Sequence, residues 1–112
     1  MGLSYIGRLK MKSKKILVDF DNVIHDAKSG WLDGVIYGDL VNGAWEKIQL
    51  LKDAGFEVIV FTARQDLEIV RKWLLSKGID CEVTNIKLPA LAYIDDRAIR
   101  FTNWDDVVRY FI

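Results

Sequence analysis

Apolar and polar positions along this chain divide it into short, near-continuous hydrophobic runs and stretches with helical spacing. The first run, Ile16-Leu17-Val18-Asp19-Phe20-Asp21-Asn22-Val23, is apolar until two carboxylates interrupt it one residue apart. Side chains alternate across a strand, so Asp19 and Asp21 share one face and Phe20 takes the other. Ile24 to Leu40 contains Gly30, Gly34 and Gly38 and no helical period, which predicts turns and a small hairpin around Trp31 to Tyr37. From Asn42, Ala44, Trp45, Ile48 and Leu51 fall at helical spacing, with Asn42 as the cap and Gly55 as the stop. Phe56 to Phe61 is apolar apart from Glu57, the pattern of a strand covered on both faces.

A second helix is expected from Gln65 or Asp66 to Lys77, with Leu67, Val70, Trp73 and Leu74 as its stripe and Gly78 ending it. Ile79 to Val83 alternates and reads as a short strand. Pro89 marks a loop, and Ala90 to Ile94 makes another strand that ends in Asp95-Asp96. Ile99 to Phe101 reads as an edge strand. Thr102-Asn103-Trp104-Asp105-Asp106 opens a capped final helix carrying Val107, Val108 and Phe111. This order predicts an α/β fold with a mainly parallel central sheet and helices on both faces. Right-handed crossovers bring the carboxyl ends of such strands to one edge, where open α/β sheets bind ligands.

Composition narrows the setting. With 112 residues and 51% apolar content the chain suits one domain, read here as residues 14–112 after a basic N-terminal extension at 1–13. Met11 followed by Lys-Ser-Lys-Lys would itself serve as a chain start. Sixteen basic and sixteen acidic residues cancel, so net charge does not point to nucleic acid or to a membrane surface. There is no apolar core of a signal peptide and no run of roughly 18 apolar residues, which predicts a soluble, cytoplasmic protein. The single Cys81 excludes an internal disulfide and reads as a small buried residue.

Polar groups that follow the apolar runs carry the chemistry. Asp19 and Asp21 follow the first strand, Thr62 the second, and Asp95 and Asp96 a later one, while Lys87 lies in the loop leading to that strand. Carboxylates gathered in one crevice need compensation, and their oxygens suit a hard cation such as Mg2+. A carboxylate in line with a phosphoryl group can attack it to give an aspartyl-phosphate, and a second carboxylate can move the protons. Thr62 would donate to a phosphoryl oxygen and Lys87 would offset developing charge.

Asp19-Phe20-Asp21-Asn22-Val23, Thr62 in Phe61-Thr62-Ala63-Arg64, Lys87, and Asp95-Asp96 in Tyr93-Ile94-Asp95-Asp96-Arg97-Ala98 together resemble the four ordered motifs of the haloacid dehalogenase (HAD) superfamily. The resemblance implies a Rossmann-like three-layer fold, Mg2+ as cofactor and phosphatase activity. By that resemblance Asp19 is the nucleophile and a metal ligand, and Asp21 is the general acid/base and a ligand through its main-chain carbonyl. Thr62 and Lys87 hold the phosphoryl group, Asp96 leads and Asp95 supports at the metal, and Asn22, Ala63 and Arg64 contact substrate. Asn22 stands where members commonly carry glycine, a position asparagine can fill because it tolerates left-handed backbone. The interval from Lys87 to Asp95 leaves no room for the helix that often separates the last two motifs. Lys72 and Lys77 compete for the lysine role, though a solvated helix face explains them more simply.

Neither long interval has room for a cap domain, so the resemblance is to a capless member. An open site suits a phosphorylated macromolecular end, such as a polynucleotide or protein, or an oligomer whose neighbour supplies the lid, and leaves a nucleotide or another small phosphometabolite open. His25, Asp26, Trp31 and Tyr37 in the short insert are candidates for the mouth, an aromatic there being able to stack on a base. Packing of Trp31 and Tyr37 against the sheet is the simpler expectation. Arg64 and Arg97, each just past a motif, suit either substrate anions or the acidic cluster. The alternative is a non-catalytic phosphate-binding domain or a receiver-like phosphoacceptor. A receiver, however, places its paired acids first and its lysine last, the reverse of the order here.

Overall fold

The computed structural model describes residues 13–112; the extension read at residues 1–13 lies, through residue 12, outside the described residues. Its elements run β1 (Lys15–Asp19), α1 (Ala44–Asp53), β2 (Glu57–Phe61), α2 (Leu67–Ser76), β3 (Glu82–Thr84), β4 (Ala92–Ile94) and α3 (Trp104–Arg109). The four strands form one sheet in the order β3-β2-β1-β4, with every pair parallel. This is a Rossmann-like α/β fold. No helix among the described residues is long and apolar enough to cross a membrane.

Alternation along the strands separates two faces. Ile16, Val18 and Phe20 join Val58, Val60 and Val83 in one buried cluster with Ile48 of α1 and with Val70 and Leu74 of α2. Both long helices therefore lie on that face. Phe20 is fully enclosed, and such burial contributes roughly 1.5–3 kcal/mol. Leu17 and Ile59 point the other way and are equally buried, yet no helix follows β3 to cover them. Residues 85–91 instead cross from one side of β1 to the other, and passing over the opposite face keeps the crossover right-handed. Tyr93 shares that face through its pairing with Leu17, and its hydroxyl donates to Leu88 O at 2.5 Å. The expected helices on both faces are thus realised on one, with this crossing segment on the other.

Several local expectations shift. Gly43, not Asn42, occupies the N-cap of α1, without a side-chain cap. β3 begins at Glu82 rather than Ile79, because Ile79 turns into the core after α2. Residues Ile99 to Phe101 form no strand. The final helix is capped as expected: Asn103 Oδ1 accepts from Asp106 N at 2.9 Å. None of its residues is buried, and α3 makes no close approach to another helix or strand among the described residues.

The insert between β1 and α1 is not a hairpin around Trp31 to Tyr37. Its paired part is the neck, where Asp26 N donates to Asp39 O (2.9 Å) and Val41 N to Ile24 O (2.7 Å). Beyond the neck, Leu32, Asp33 and Gly34 take positive φ values of 43°, 55° and 81°, a short left-handed turn. Gly38 passes so close to the neck that a Cβ there would lie 2.0 Å from Asp26 O. Gly38→Ala is expected to cost about 1–3 kcal/mol, read as a lower urea midpoint.

Candidate active site

Parallel strands deliver Asp19, Asp21, Thr62, Asp95 and Asp96 to one edge of the sheet, as their positions after apolar runs predicted. They line a crevice of about 400 Å³ together with Asn22, Ala27, Gly30, Trp31, Phe61, Ala63, Arg64 and Arg97. One oxygen from each of Asp19, Asp95 and Asp96 lies within 4.8 Å of the other two. Burial pushes the Asp19 carboxyl up from 3.8 to about 6; the Phe20 N–H opposes the shift, and the Asp95 and Asp96 carboxyls add to it. Phe20 N donates to Asp19 Oδ1 at 2.9 Å, so Oδ2 is the oxygen left to react. Asp95 Oδ1 accepts from Arg97 N (2.6 Å) and Ala98 N (3.2 Å), which closes the turn after β4.

Asp21 has a different environment. Arg64 holds it by two bonds, Nε to Oδ2 and Nη2 to Oδ1, each 2.9 Å, and His25 Nδ1 meets Oδ1 at 2.9 Å. Burial would raise this carboxyl, but the hydrogen bonds and charge of Arg64, with a smaller contribution from His25, hold it below its ordinary value. The tautomer of His25 follows from its other nitrogen. Gly38 N donates to Nε2 at 3.0 Å, so Nε2 is the acceptor and the Nδ1 proton goes to Asp21. His25 is fully buried among the rings of Phe20, Tyr37 and Trp73. It positions Asp21 and does not reach the crevice.

Arg64, itself 8% exposed, also donates from Nη1 to Gly34 O at 2.6 Å and lies 4.6 Å from the centroid of the Trp31 ring. It ties the insert to the crevice. Thr62 Oγ1 accepts from Arg64 N at 3.1 Å, which leaves the hydroxyl proton free for a ligand oxygen. Asn22 takes φ 66°, the left-handed backbone its position implied, and its Oδ1 accepts from Ala27 N at 3.1 Å.

The candidate lysines stand apart from the crevice lining. Lys87 does not line the crevice; its Nζ lies over the Tyr93 ring, 5.8 Å from the centroid, because the segment that carries it crosses the sheet face instead of forming a helix above the edge. Lys72 and Lys77 do not line it either, and Lys77 lies 3.8 Å from Asp39. Among the described residues, the cations that line the crevice are Arg64 and Arg97. Asp21 is not in the close carboxylate group; Arg64 and His25 engage its side chain, which the metal role expected of it, through the main-chain carbonyl, does not use. Of the insert residues, Trp31 lines the mouth, whereas Tyr37 donates to Gly30 O at 2.8 Å. Ala27, Gly30 and Phe61 also line the crevice and gave no chemical signal in the sequence. Cys81 is half-buried, and burial pushes its thiol up, consistent with an inert residue.

With this geometry in view, one likeness stands out. The chain is similar to a solved structure described as that of a conserved protein coded by a locus from Bacteroides thetaiotaomicron. The two superpose with a TM-score of 0.64 at 23% identity, over 83% of this chain and 84% of that one. At that identity the likeness establishes the shared fold alone. No protein-family model and no curated protein matches the chain.

Proposed function

We propose that the protein is an HAD-type, Mg2+-dependent phosphohydrolase that cleaves a phosphate monoester through an aspartyl-phosphate on Asp19. The observation that carries this reading is the convergence of Asp19, Asp95 and Asp96 at the carboxyl edge of a parallel sheet. Three carboxylates at such spacing are a hard, oxygen-only donor set, and a cation there would favour the ionised form of Asp19, which burial chiefly and the Asp95 and Asp96 carboxyls further disfavour. The donor chemistry fits Mg2+, held by Asp19, Asp95 and Asp96. Bound there, Mg2+ would supply charge neutralisation to the phosphoryl oxygens.

The chain's own groups account for the remaining steps. Asp19 Oδ2 attacks phosphorus, the ester P–O bond breaks, and the leaving alkoxide takes a proton from solvent. Thr62 donates to one phosphoryl oxygen, and Arg97 and Arg64 keep the crevice attractive to the anion. Asp21 is held as the carboxylate by Arg64, which suits it to accept the proton of the water that hydrolyses the phosphoenzyme. It is less suited to protonate the leaving group, so substrates with weakly basic leaving groups should turn over fastest.

A second reading draws on that same commitment of Asp21 and on the position of Lys87. With the proton-moving group restrained and no lysine lining the crevice among the described residues, the domain would keep the phosphoryl group on Asp19 and act as a phosphoacceptor. One experiment separates the two: incubation with nucleotides, sugar phosphates and phosphorylated oligonucleotides, with Mg2+ or chelator, scoring released phosphate. Catalytic, chelator-sensitive release supports the hydrolase. Stoichiometric labelling without release supports the acceptor, and release that ignores chelation removes both.

Metal binding should be linked to protons. Asp19 must be ionised to bind a cation, and its folded value is about 6. Mg2+ affinity is expected to fall about tenfold per pH unit below that value and to level off above it, measured by calorimetry in two buffers of different ionisation enthalpy.

A further inference from the structure

Trp31 stands at the rim of the crevice with 59% of its surface exposed. The Arg64 guanidinium lies over its ring, and a Cβ on Gly34 would come within 3.1 Å of its Cζ2 atom. The indole is therefore supported from behind while its remaining surface is open. The turn that presents it is strained: Leu32 and Asp33 are non-glycine residues at φ 43° and 55°, a conformation that costs roughly 1–2 kcal/mol per residue. Leu32 and Val35 are mostly exposed, while Ile36 packs against the core and Gly34 O accepts from Arg64. Strain kept beside a ligand crevice points to a positioning task.

A second recess, about 500 Å³, shares Trp31, Ala63 and Arg64 with the first and continues past Asp33 and Gln65. Trp31 thus marks the junction between the acidic crevice and a second space edged with polar groups. We propose that Trp31 is a stacking platform for a nucleobase, and that the site takes a nucleoside phosphate monoester, either free or at a polynucleotide end. A sugar phosphate would leave the indole uncovered. Phenyl phosphate carries an aromatic ring without the ribose spacer and is the control for the spacing of base and phosphate. Asp33 and Gln65 then face the polar edge of the base or the sugar. The inference rests on the phosphate-binding reading of the acidic crevice.

Binding is the decisive readout. Calorimetry in Mg2+ would use the full chain carrying Asp19→Asn, so that no substrate is consumed, alone and combined with Trp31→Phe or Trp31→Ala. The ligands are adenosine 5′-monophosphate, 5′- and 3′-phosphorylated oligonucleotides, ribose 5-phosphate and phenyl phosphate. At least one nucleotide should bind about 5- to 100-fold more tightly than ribose 5-phosphate. Trp31→Ala should abolish that preference, and Trp31→Phe should keep most of it. The arms with free and chain-terminal phosphate identify the source. Equal binding of ribose 5-phosphate or phenyl phosphate, no nucleotide binding, or a preference that survives Trp31→Ala would overturn the proposal. Nucleotide preference without phosphate release from the unmutated chain would leave this inference standing and remove the hydrolase reading.

Discussion

Asp19→Asn is expected to lower phosphate-monoester hydrolysis by at least about a thousandfold, since it removes the attacking oxygen rather than a supporting contact. The same substitution should leave a distinct mark on stability. The Asp19 carboxyl is raised from 3.8 to about 6 in the folded protein, so folding favours its protonated form. Its stabilising protonation is fully present below about pH 4, is lost as pH rises towards 6, and stays lost above that. In chelator, the unmutated protein should lose stability relative to Asp19→Asn between pH 4 and 6, with a constant difference at higher pH. Thermal melts of both proteins across that range measure the effect. Catalysis and metal-free stability should therefore move in opposite directions at neutral pH, as expected when strain is held at a functional site.

Arg64→Met should be the most destabilising change in the crevice. Removing the guanidinium leaves Asp21 without its paired donor and frees Gly34 O and the Trp31 ring from their common anchor. Breaking a buried pair costs about 3–5 kcal/mol; the Asp21 side chain keeps 30% of its exposure, which places the expected loss near the low end, about 3 kcal/mol. Arg64→Lys should recover little, because an ammonium cannot reproduce the forked contact. Urea denaturation of Arg64→Met, Asp21→Asn and the double variant tests the account. Losses much smaller than additive are expected, since each single change breaks the same pair.

Much of the fold was legible because strong periodicities coincide with burial. The Val58-Ile59-Val60 run became the fully buried centre of β2, and the Val70 and Leu74 stripe faces the core. The acids after β1 and β4 were legible as a site because a parallel topology leaves those ends little choice of location. Less was legible where the backbone, not the side chain, decides. Asn42 has the chemistry of a cap, but the chain enters α1 through a left-handed Gly43. The insert's glycines announced turns without revealing that Gly38 must pass against Asp26 O.

Lys87 lies in a segment too short for a helix, as its spacing to Asp95 implied, and its ammonium sits over the Tyr93 ring. Arg64, just past Thr62, suited either substrate anions or the acidic cluster; pairing of β1 with β2 brings it to Asp21, 43 positions earlier in the chain. The difference between the two acids of the opening strand likewise arises from their neighbours. Asp19 faces other carboxylates and Asp21 faces an arginine.

The most direct measurement is acid-quenched mass spectrometry of the protein during turnover of a reactive phosphate monoester in Mg2+. The account predicts one phosphoryl adduct, mapped to the peptide carrying Asp19, labile to hydroxylamine and lost with chelator. Turnover with no adduct on that peptide under rapid quench, or with the phosphoryl group on another residue, would contradict it.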